Sequence, residues 1–218
     1  MKIEVLKNIT SANDTIAARN KQVLDRHKVF ALNCMSSPGA GKTSLILQTI
    51  DRLRNELKLA VIEGDVASKI DADKIDEQGI PVVQINTGAA CSLEAQMITP
   101  SLDKLPLENI DLLFIENVGN LICPAEFALG EHKKVVISSA PEGDDKPTKY
   151  PLMFTEADVV VINKIDLLPH IDFDVASFRK TVEGLNPDVK IFEVSCKTGD
   201  GIDAWCSWVS AEAKKAAS

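Results

Sequence analysis

Short apolar runs alternate with longer amphipathic stretches along most of the chain. The runs are rich in β-branched residues and predict strands at Val29–Leu32, Leu59–Ile62, Val82–Ile85, Asp111–Ile115, Val135–Ile137, Val159–Ile162 and Val189–Val194. The stretches between them predict helices, most clearly at Thr43–Glu56, Leu93–Leu102, Val175–Gly184 and Ile202–Lys215. Buried strands joined by crossover helices form parallel sheets covered on both faces. The pattern therefore predicts an α/β fold with a doubly wound, mostly parallel sheet.

Residues 10–26 come before the first predicted strand and have a different pattern. Charges occur on most turns, and the apolar set is thin: Ile16, Val23 and Leu24. This predicts an exposed or partner-facing helix ahead of the main fold. No internal repeat and no Pro/Gly/Ser-rich linker follows. We therefore expect a lead-in helical segment over residues 1–27 and a single domain over residues 28–218.

Composition excludes several classes of function. The 218 residues include 24 Lys and Arg against 32 Asp and Glu, a net charge of −8, which argues against nucleic acid or an anionic membrane as the main partner. No apolar run reaches the roughly 18 residues of a membrane span, and the first residues do not read as a secretory signal, so we expect a cytoplasmic protein. The five cysteines do not indicate a disulfide framework, and three histidines rule out a histidine-rich metal tract.

The segment from Ser36 to Thr43, SSPGAGKT, lies between the first predicted strand and a helix. It fits the pattern G-x-x-x-x-G-K-[ST] except that Ser36 replaces the first glycine. Small residues let backbone N–H groups face a polyphosphate, and the helix N-terminus adds positive charge. A turn that binds nothing is the alternative, which the strand–loop–helix context disfavours. The predicted P-loop residues are Gly39, Ala40, Gly41, Lys42, Thr43 and Ser44.

A second motif, Asn163-Lys164-Ile165-Asp166, follows a late apolar strand and favours guanine. The Asp166 carboxylate can accept two hydrogen bonds from guanine N1–H and N2–H₂, which adenine does not offer, while the Lys164 stem lies along the base. Ser195, Cys196 and Lys197 follow the next strand and resemble the loop that GTPases set against guanine O6. Together with the P-loop, these residues predict a P-loop NTPase of G-domain architecture.

Two predicted strands end in carboxylates, where ligands bind in open α/β sheets. We assign Asp65 to Mg²⁺ or the attacking water and Glu116 to Mg²⁺ through water, with Thr43 as a further Mg²⁺ ligand. Gly119 would offer its amide to the γ-phosphate. A helix cap or a solvated loop remains the alternative for each carboxylate. The predicted catalytic residues are therefore Lys42, Asp65 and Glu116.

Positioning and charge neutralisation account for most of the catalysis in phosphoryl transfer. No arginine finger is evident after the acidic strand ends, so we expect a GTPase with slow intrinsic turnover. Lys146, in a turn-rich acidic loop, is a candidate for contacting the nucleotide across a dimer interface.

Six sequence blocks together resemble the HypB family of hydrogenase nickel-incorporation GTPases. They are MSSPGAGKT (35–43), EGDVASKIDADKI (63–75), NTGAACSLEAQMI (86–98), ENVGNLICPAEFALGE (116–131), PEGDDKPTKYPLMF (141–154) and NKIDLLP (163–169). The resemblance implies a metallochaperone that hydrolyses GTP, dimerises with nucleotide and assists nickel insertion into [NiFe]-hydrogenase. It implies a HypA-type nickel accessory protein and the hydrogenase large subunit as partners. The related urease nickel GTPase resembles these blocks less closely.

The chain departs from the family pattern at the residues that bind metal in the family. It has neither the N-terminal cysteine motif nor the histidine-rich stretch of many members, and Cys91-Ser92 replaces the usual Cys-His, with Cys123 as the second cysteine. Two thiolates are too few for a closed tetrahedral site, but two protomers would supply four sulfurs, a set that suits Zn²⁺, whereas Ni²⁺ would need a more planar arrangement. We expect Zn²⁺ or Ni²⁺ at an inter-subunit site of Cys91 and Cys123, with Ser92 supplying an oxygen or nothing.

The remaining cysteines and histidines are expected to have structural roles and not to bind metal. One alternative function also stays open. Cys34 and Cys206 are expected in the core, and His27, His132 and His170 as solvated or capping residues. The alternative is an adaptor that binds GTP structurally and holds metal with negligible turnover.

Overall fold

A computed structural model describes residues 8–65 and 70–217. The strands are β1 (Phe30–Ser36), β2 (Leu59–Asp65), β3 (Val82–Asn86), β4 (Leu112–Gly119), β5 (Lys133–Ser139), β6 (Val159–Asn163) and β7 (Lys190–Glu193). The α-helices are α1 (Asn8–His27), α2 (Lys42–Leu53), α3 (Ile70–Asp76), α4 (Ala95–Leu102), α5 (Cys123–Glu126), α6 (Lys146–Lys149), α7 (Pro151–Thr155), α8 (Val175–Leu185) and α9 (Ile202–Ala217). Short 3₁₀ helices lie at Leu107–Asn109, Ala140–Glu142 and Ile165–His170.

These strands form one sheet in the order β3-β2-β4-β1-β5-β6-β7, and each pairing among them is parallel. The predicted doubly wound α/β fold is therefore confirmed, and every predicted strand overlaps one of them. The chain moves from β1 toward one edge of the sheet and later toward the other. The carboxyl end of β1 is thus the switch point at which ligands bind in such sheets.

Alternate residues of the central strands face opposite cores. On one face Leu32 and Phe114 pack with α2 and α9, where Trp205 is fully buried. On the other face Ala31 and Ile115 pack with α4 and with Leu24 of α1. This alternation follows from the two-residue period of a strand, and both faces are buried because helices cover each of them.

Helix α1 is exposed on one face only. On the other face Asn13 and Asn20 are buried and dock on α4: the Asn13 Oδ1 accepts a hydrogen bond from the Ala95 N–H at 2.9 Å. The Asn20 Nδ2 donates to the carbonyl oxygens of Ala95 at 2.9 Å and Leu129 at 3.0 Å. The prediction of an exposed or partner-facing helix missed this face because asparagine counts as a solvated residue in a hydropathy pattern.

His132 departs from the expectation of a solvated or capping histidine. Its Nδ1 accepts a hydrogen bond from the Ala31 N–H at 2.9 Å, and its Nε2 lies 2.8 Å from Oδ1 of Asp25 on α1. Burial lowers the pKa of the imidazole, although the hydrogen bond to Asp25 acts in the opposite direction. The side chain therefore fastens α1 to the start of β5.

No helix in the described parts of the chain combines the length and the apolar character that crossing a bilayer requires.

Candidate functional site

The P-loop connects β1 to α2 and holds its own lysine. Nζ of Lys42 donates a hydrogen bond to Oγ of Ser36 at 3.1 Å, so the serine that replaces the first glycine of the motif orients the lysine. Gly41 has a φ of 102°, a left-handed conformation that favours glycine, and a Cβ there would collide with the Asn163 side chain. The local sequence thus fixes the turn from strand into helix.

The predicted base-binding motif touches the P-loop directly. Nδ2 of Asn163 donates to the Ala40 carbonyl at 2.9 Å, and Nζ of Lys164 donates to the Gly39 carbonyl at 2.6 Å. The buried Asn163 also accepts hydrogen bonds through Oδ1 from the backbone N–H groups of Lys164 at 2.7 Å and Cys196 at 3.2 Å. Asn163 therefore ties together three loops that sequence reasoning had only proposed as neighbours.

Asp166 is oriented by the following strand–loop connection. Oγ of Ser195 donates to Oδ1 of Asp166 at 2.6 Å and accepts the N–H of Thr198 at 3.1 Å. This leaves the second carboxylate oxygen, Oδ2, as the further acceptor on the same group. Burial raises the pKa of the Cys196 thiol to about 11, in keeping with a packing position and not a reactive thiolate.

A cavity of about 420 Å³ lies between the P-loop and the base-binding motif. Its walls come from both, and the lining residues are Gly39, Gly41, Ser44, Asn163, Lys164, Asp166, Leu167, Cys196 and Lys197. A volume of this size is typical of small-molecule and cofactor sites.

The acidic end of the site centres on Glu116. Its Oε1 accepts the hydroxyl of Thr43 at 2.8 Å, and the carboxylate is buried. Strand register pairs Glu116 with Glu63 of β2, also buried, while Asp65 lies two residues farther along β2 and is only half-buried. Glu63 is thus a functional candidate that the sequence pattern did not distinguish from Asp65. The sequence does contain a signal for Glu63, because it lies in the same short Glu-Gly-Asp segment as Asp65.

Gly119 lies where β4 reaches the P-loop. It is paired in register with Ser36, and a Cβ at this position would come within 3.0 Å of the Pro38 backbone. Close backbone approach therefore favours glycine here, since any side chain would push against the P-loop. Its predicted contact with a γ-phosphate stays a prediction, as does the nucleotide contact of Lys146, whose Nζ lies 5.8 Å from the Tyr150 ring centroid.

The structure joins Cys91 and Cys123 as a disulfide, with their Cα atoms 6.2 Å apart. No disulfide framework was expected from the cysteine spacing, and this pair departs from that expectation because two distant loops meet at the sheet's carboxyl edge. Cys34 and Cys206 are buried, as predicted.

The cysteine pair and the pair of Thr43 and Glu116 differ in how well they suit the cations expected at each. A disulfide offers no thiolate, so binding of a soft metal requires the reduced pair. In the described ranges, 8–65 and 70–217, no three His, Cys, Asp or Glu side chains converge as a metal site. Mg²⁺ needs fewer protein ligands, because nucleotide phosphates and water complete its octahedron, and Thr43 with Glu116 fits that role.

Comparison with known proteins identifies this arrangement. Residues 31–193 match the model of the CobW/HypB/UreG nucleotide-binding domain. The chain belongs to this family. The domain is therefore a P-loop nucleotide-binding domain of a type that supports nucleotide hydrolysis.

Relatives and solved structures narrow the assignment to the HypB branch. Hydrogenase maturation factor HypB of Rhizobium leguminosarum bv. viciae is 47% identical over 215 residues, which cover 99% of this chain and 72% of the relative. The crystal structure of HypB from Archaeoglobus fulgidus superposes with a TM-score of 0.88 at 41% identity, covering 93% of this chain and 99% of that one. HypB from Helicobacter pylori, solved in complex with nickel, gives 0.89 at 38% identity, covering 94% and 96%. The resemblance to the HypB family is confirmed.

Proposed function

We propose that the chain is a GTP-hydrolysing metallochaperone that assists nickel insertion into [NiFe]-hydrogenase and couples its GTP state to dimerisation and metal transfer. The observation that carries the proposal is the single cavity walled by the P-loop and by the Asn163–Asp166 motif. One side of it suits a polyphosphate and the other a guanine base. The relatives named as hydrogenase maturation factors support the choice of client.

Guanine specificity rests on the Asp166 carboxylate. The hydrogen bond from Ser195 holds Oδ1, so the carboxylate plane is fixed before the base arrives. A fixed carboxylate can accept from guanine N1–H and N2–H₂ together, whereas adenine presents no matching donor pair. The hydrogen bond of Lys164 to the Gly39 carbonyl supports the proposed role of its stem along the base.

Phosphoryl transfer is proposed to take place at the P-loop, next to the acidic end of the site. Lys42, held at Ser36, can neutralise charge on the β- and γ-phosphates as it develops. Because the Thr43 hydroxyl donates a hydrogen bond to Glu116, its oxygen lone pairs can face Mg²⁺, which supplies charge neutralisation when bound. Asp65, at the end of β2, is proposed for Mg²⁺ or the attacking water. Slow intrinsic turnover is proposed because no arginine closely follows either of the two acidic strand ends in the sequence.

Nickel or zinc is the proposed cargo, held by reduced Cys91 and Cys123. The adjacency of the two sulfurs supports this assignment, since a metal needs both at once. Two such pairs across a twofold axis would supply four sulfurs, which supports a homodimer dependent on nucleotide, metal or both. The nickel complex of the H. pylori relative supports nickel as one occupant.

The proposed partners are a HypA-type nickel accessory protein and the hydrogenase large subunit, in the cytoplasm. A net charge of −8 supports the absence of nucleic acid and anionic membrane from this set.

Single-turnover GTP hydrolysis by the wild-type chain and by Lys42→Ala tests the proposal. We expect cleavage in the wild type and a loss of about 10³-fold or more in the variant, the size expected for a missing transition-state charge. The exposed Lys104→Ala serves as the control and should match the wild type. Negligible cleavage by the wild type despite tight GTP binding would favour the adaptor that uses GTP structurally.

A further inference from the structure

The end of β4 and the residues just after it contact both the nucleotide site and the segments that carry Cys91 and Cys123. Glu116 accepts the Thr43 hydroxyl on the nucleotide side. Asn117 and Asn120 instead contact the two segments that carry the cysteines. One stretch of five residues therefore touches both the nucleotide site and the cysteine pair.

Asn117 anchors the loop that carries Cys91. Only 1% of Asn117 is exposed, and its Oδ1 accepts the backbone N–H groups of Leu93 and Val118, each at 3.0 Å. Its Nδ2 donates to Oδ1 of Asn33 on β1 at 3.2 Å. A buried amide that lost these partners would cost free energy, so the loop after Cys91 is held to β4 by this side chain.

Asn120 contacts both cysteine segments at once. Its Nδ2 donates to Sγ of Cys123 at 3.4 Å and to the Cys91 carbonyl oxygen at 3.3 Å. Its Oδ1 accepts the N–H of Ile122 at 2.8 Å, which fixes the amide plane. Partners that hydrogen-bond to metal ligands orient those ligands and tune the bound metal.

We infer that Asn120 is a positioning residue for the cysteine pair and connects it to the nucleotide site. The inference rests on the proposed function and deepens it. Asn120 directly follows Gly119, which lies against the P-loop at Pro38. If the γ-phosphate binds the Gly119 amide, as the sequence predicts, a shift of Gly119 is passed to Asn120, and the two sulfurs then change their relative position. Nickel affinity therefore differs between the GDP and GTP states because of this side chain.

The test compares the reduced wild-type chain with reduced Asn120→Ala in nickel titrations, with GDP and with a non-hydrolysable GTP analogue. In the wild type we expect the two nucleotide states to differ in nickel dissociation constant by about 5–150-fold, the usual span of coupling between sites. Asn120→Ala should weaken nickel binding by about 10–100-fold, as substitutions around metal ligands do. Asn120→Ala should also bring the ratio of the nickel dissociation constants in the two nucleotide states close to one.

Two further readouts separate positioning from a general structural role. The thiolate-to-nickel charge-transfer band should shift in Asn120→Ala, while GTP affinity without metal stays at the wild-type value. Asn186→Ala is the matched control: Asn186 is also half-buried, and its amide also donates to two acceptors, here the carbonyl oxygens of Thr155 and Ala157 ahead of β6. It should leave every readout unchanged. If Asn120→Ala does not fold, Asn120→Ser carries the same test.

Wild-type nickel affinity, spectrum and nucleotide ratio in Asn120→Ala would overturn the inference. A Cys91→Ala, Cys123→Ala double variant makes the two failures distinguishable. If the double variant loses nickel while Asn120→Ala does not, only the inference about Asn120 is wrong. If the double variant binds nickel like the wild type, the proposed cysteine site is wrong and the inference falls with it.

Discussion

Thr43, in the first turn of α2, donates its hydroxyl to Oε1 of Glu116 in β4 at 2.8 Å. The bond joins the P-loop to a strand more than seventy residues later in the chain. It also fixes the direction of the threonine oxygen: with its O–H pointing at the carboxylate, that oxygen can offer lone pairs only to the opposite side, where a phosphate-bound Mg²⁺ would lie.

The charge of Glu116 should set the Mg²⁺ requirement of hydrolysis. Glu116→Gln keeps an acceptor for Thr43 and removes only the charge, so we expect the Mg²⁺ concentration for half-maximal hydrolysis to rise about 10–100-fold. Phosphate release measured over a Mg²⁺ titration checks this. The exposed Glu108→Gln is the control, and an unchanged Mg²⁺ dependence in Glu116→Gln would remove Glu116 from the cation site.

Substitution of Asp166 should change the preferred base. In Asp166→Asn the carboxamide still accepts from Ser195 but no longer matches two guanine donors, and its N–H can donate to the 2-carbonyl of xanthine. Each lost charged hydrogen bond should cost about 1.5–3 kcal/mol, or at least tenfold in GTP affinity. Competition of GTP, XTP and ATP against a fluorescent nucleotide measures the change. Asp172→Asn, on an exposed residue, should keep GTP preference, and a variant at Asp166 that still prefers GTP speaks against the assignment.

Loss of the cysteine pair should weaken metal binding but leave nucleotide binding unchanged. We expect Cys91→Ala with Cys123→Ala to lower nickel and zinc stoichiometry and metal-dependent dimerisation, because both sulfurs are removed from one site. GTP affinity should stay at the wild-type value. Metal analysis and light scattering, with Cys206→Ala as the control for a buried cysteine outside the site, test this. Wild-type stoichiometry in the double variant would refute it.

His132 should make the free energy of unfolding depend on pH. Burial lowers its pKa in the folded chain, and Lys21 acts in the same direction, while Asp25 and Glu131 oppose it. The unfolded chain therefore binds a proton more readily, so this stability is present above about pH 6.5 and is lost as the pH falls through the folded pKa. Denaturant unfolding from pH 7.5 to 5 should show a weaker pH dependence in His132→Gln than in the wild type. Replacement of the exposed His27 should not produce this difference, and parallel curves for wild type and His132→Gln would exclude the effect.

Sequence patterns located the strands and the two nucleotide motifs because each is a local property. The β-branched runs recur between helical stretches, and all of them became strands of one parallel sheet. The P-loop carries its own geometry in Gly39 and Gly41, which have φ values of 78° and 102°. Asn163 and Asp166 were predicted as base-binding residues from a four-residue motif, and the structure brings them to one cavity with the P-loop.

Relationships between distant segments depended on register and docking, which a hydropathy pattern does not contain. Asn13 and Asn20 look like solvated residues in sequence, yet their amides fasten α1 to α4. Register decides that Glu63, not Asp65, lies opposite Glu116, since a shift of one residue would turn the other face of the strand toward the site.

By itself, the sequence determined the α/β sheet, the P-loop and the guanine motif, because each depends on residue types at short spacing. The family resemblance grouped Cys91 with Cys123, but only the tertiary structure decided that they are bonded within one chain and that Asn120 contacts both of their segments. The cysteines lie 32 residues apart in the chain, on separate loops. Their approach is set by the pairing of β2 with β4 and by the buried hydrogen bonds of Asn117, which hold those loops at one edge of the sheet.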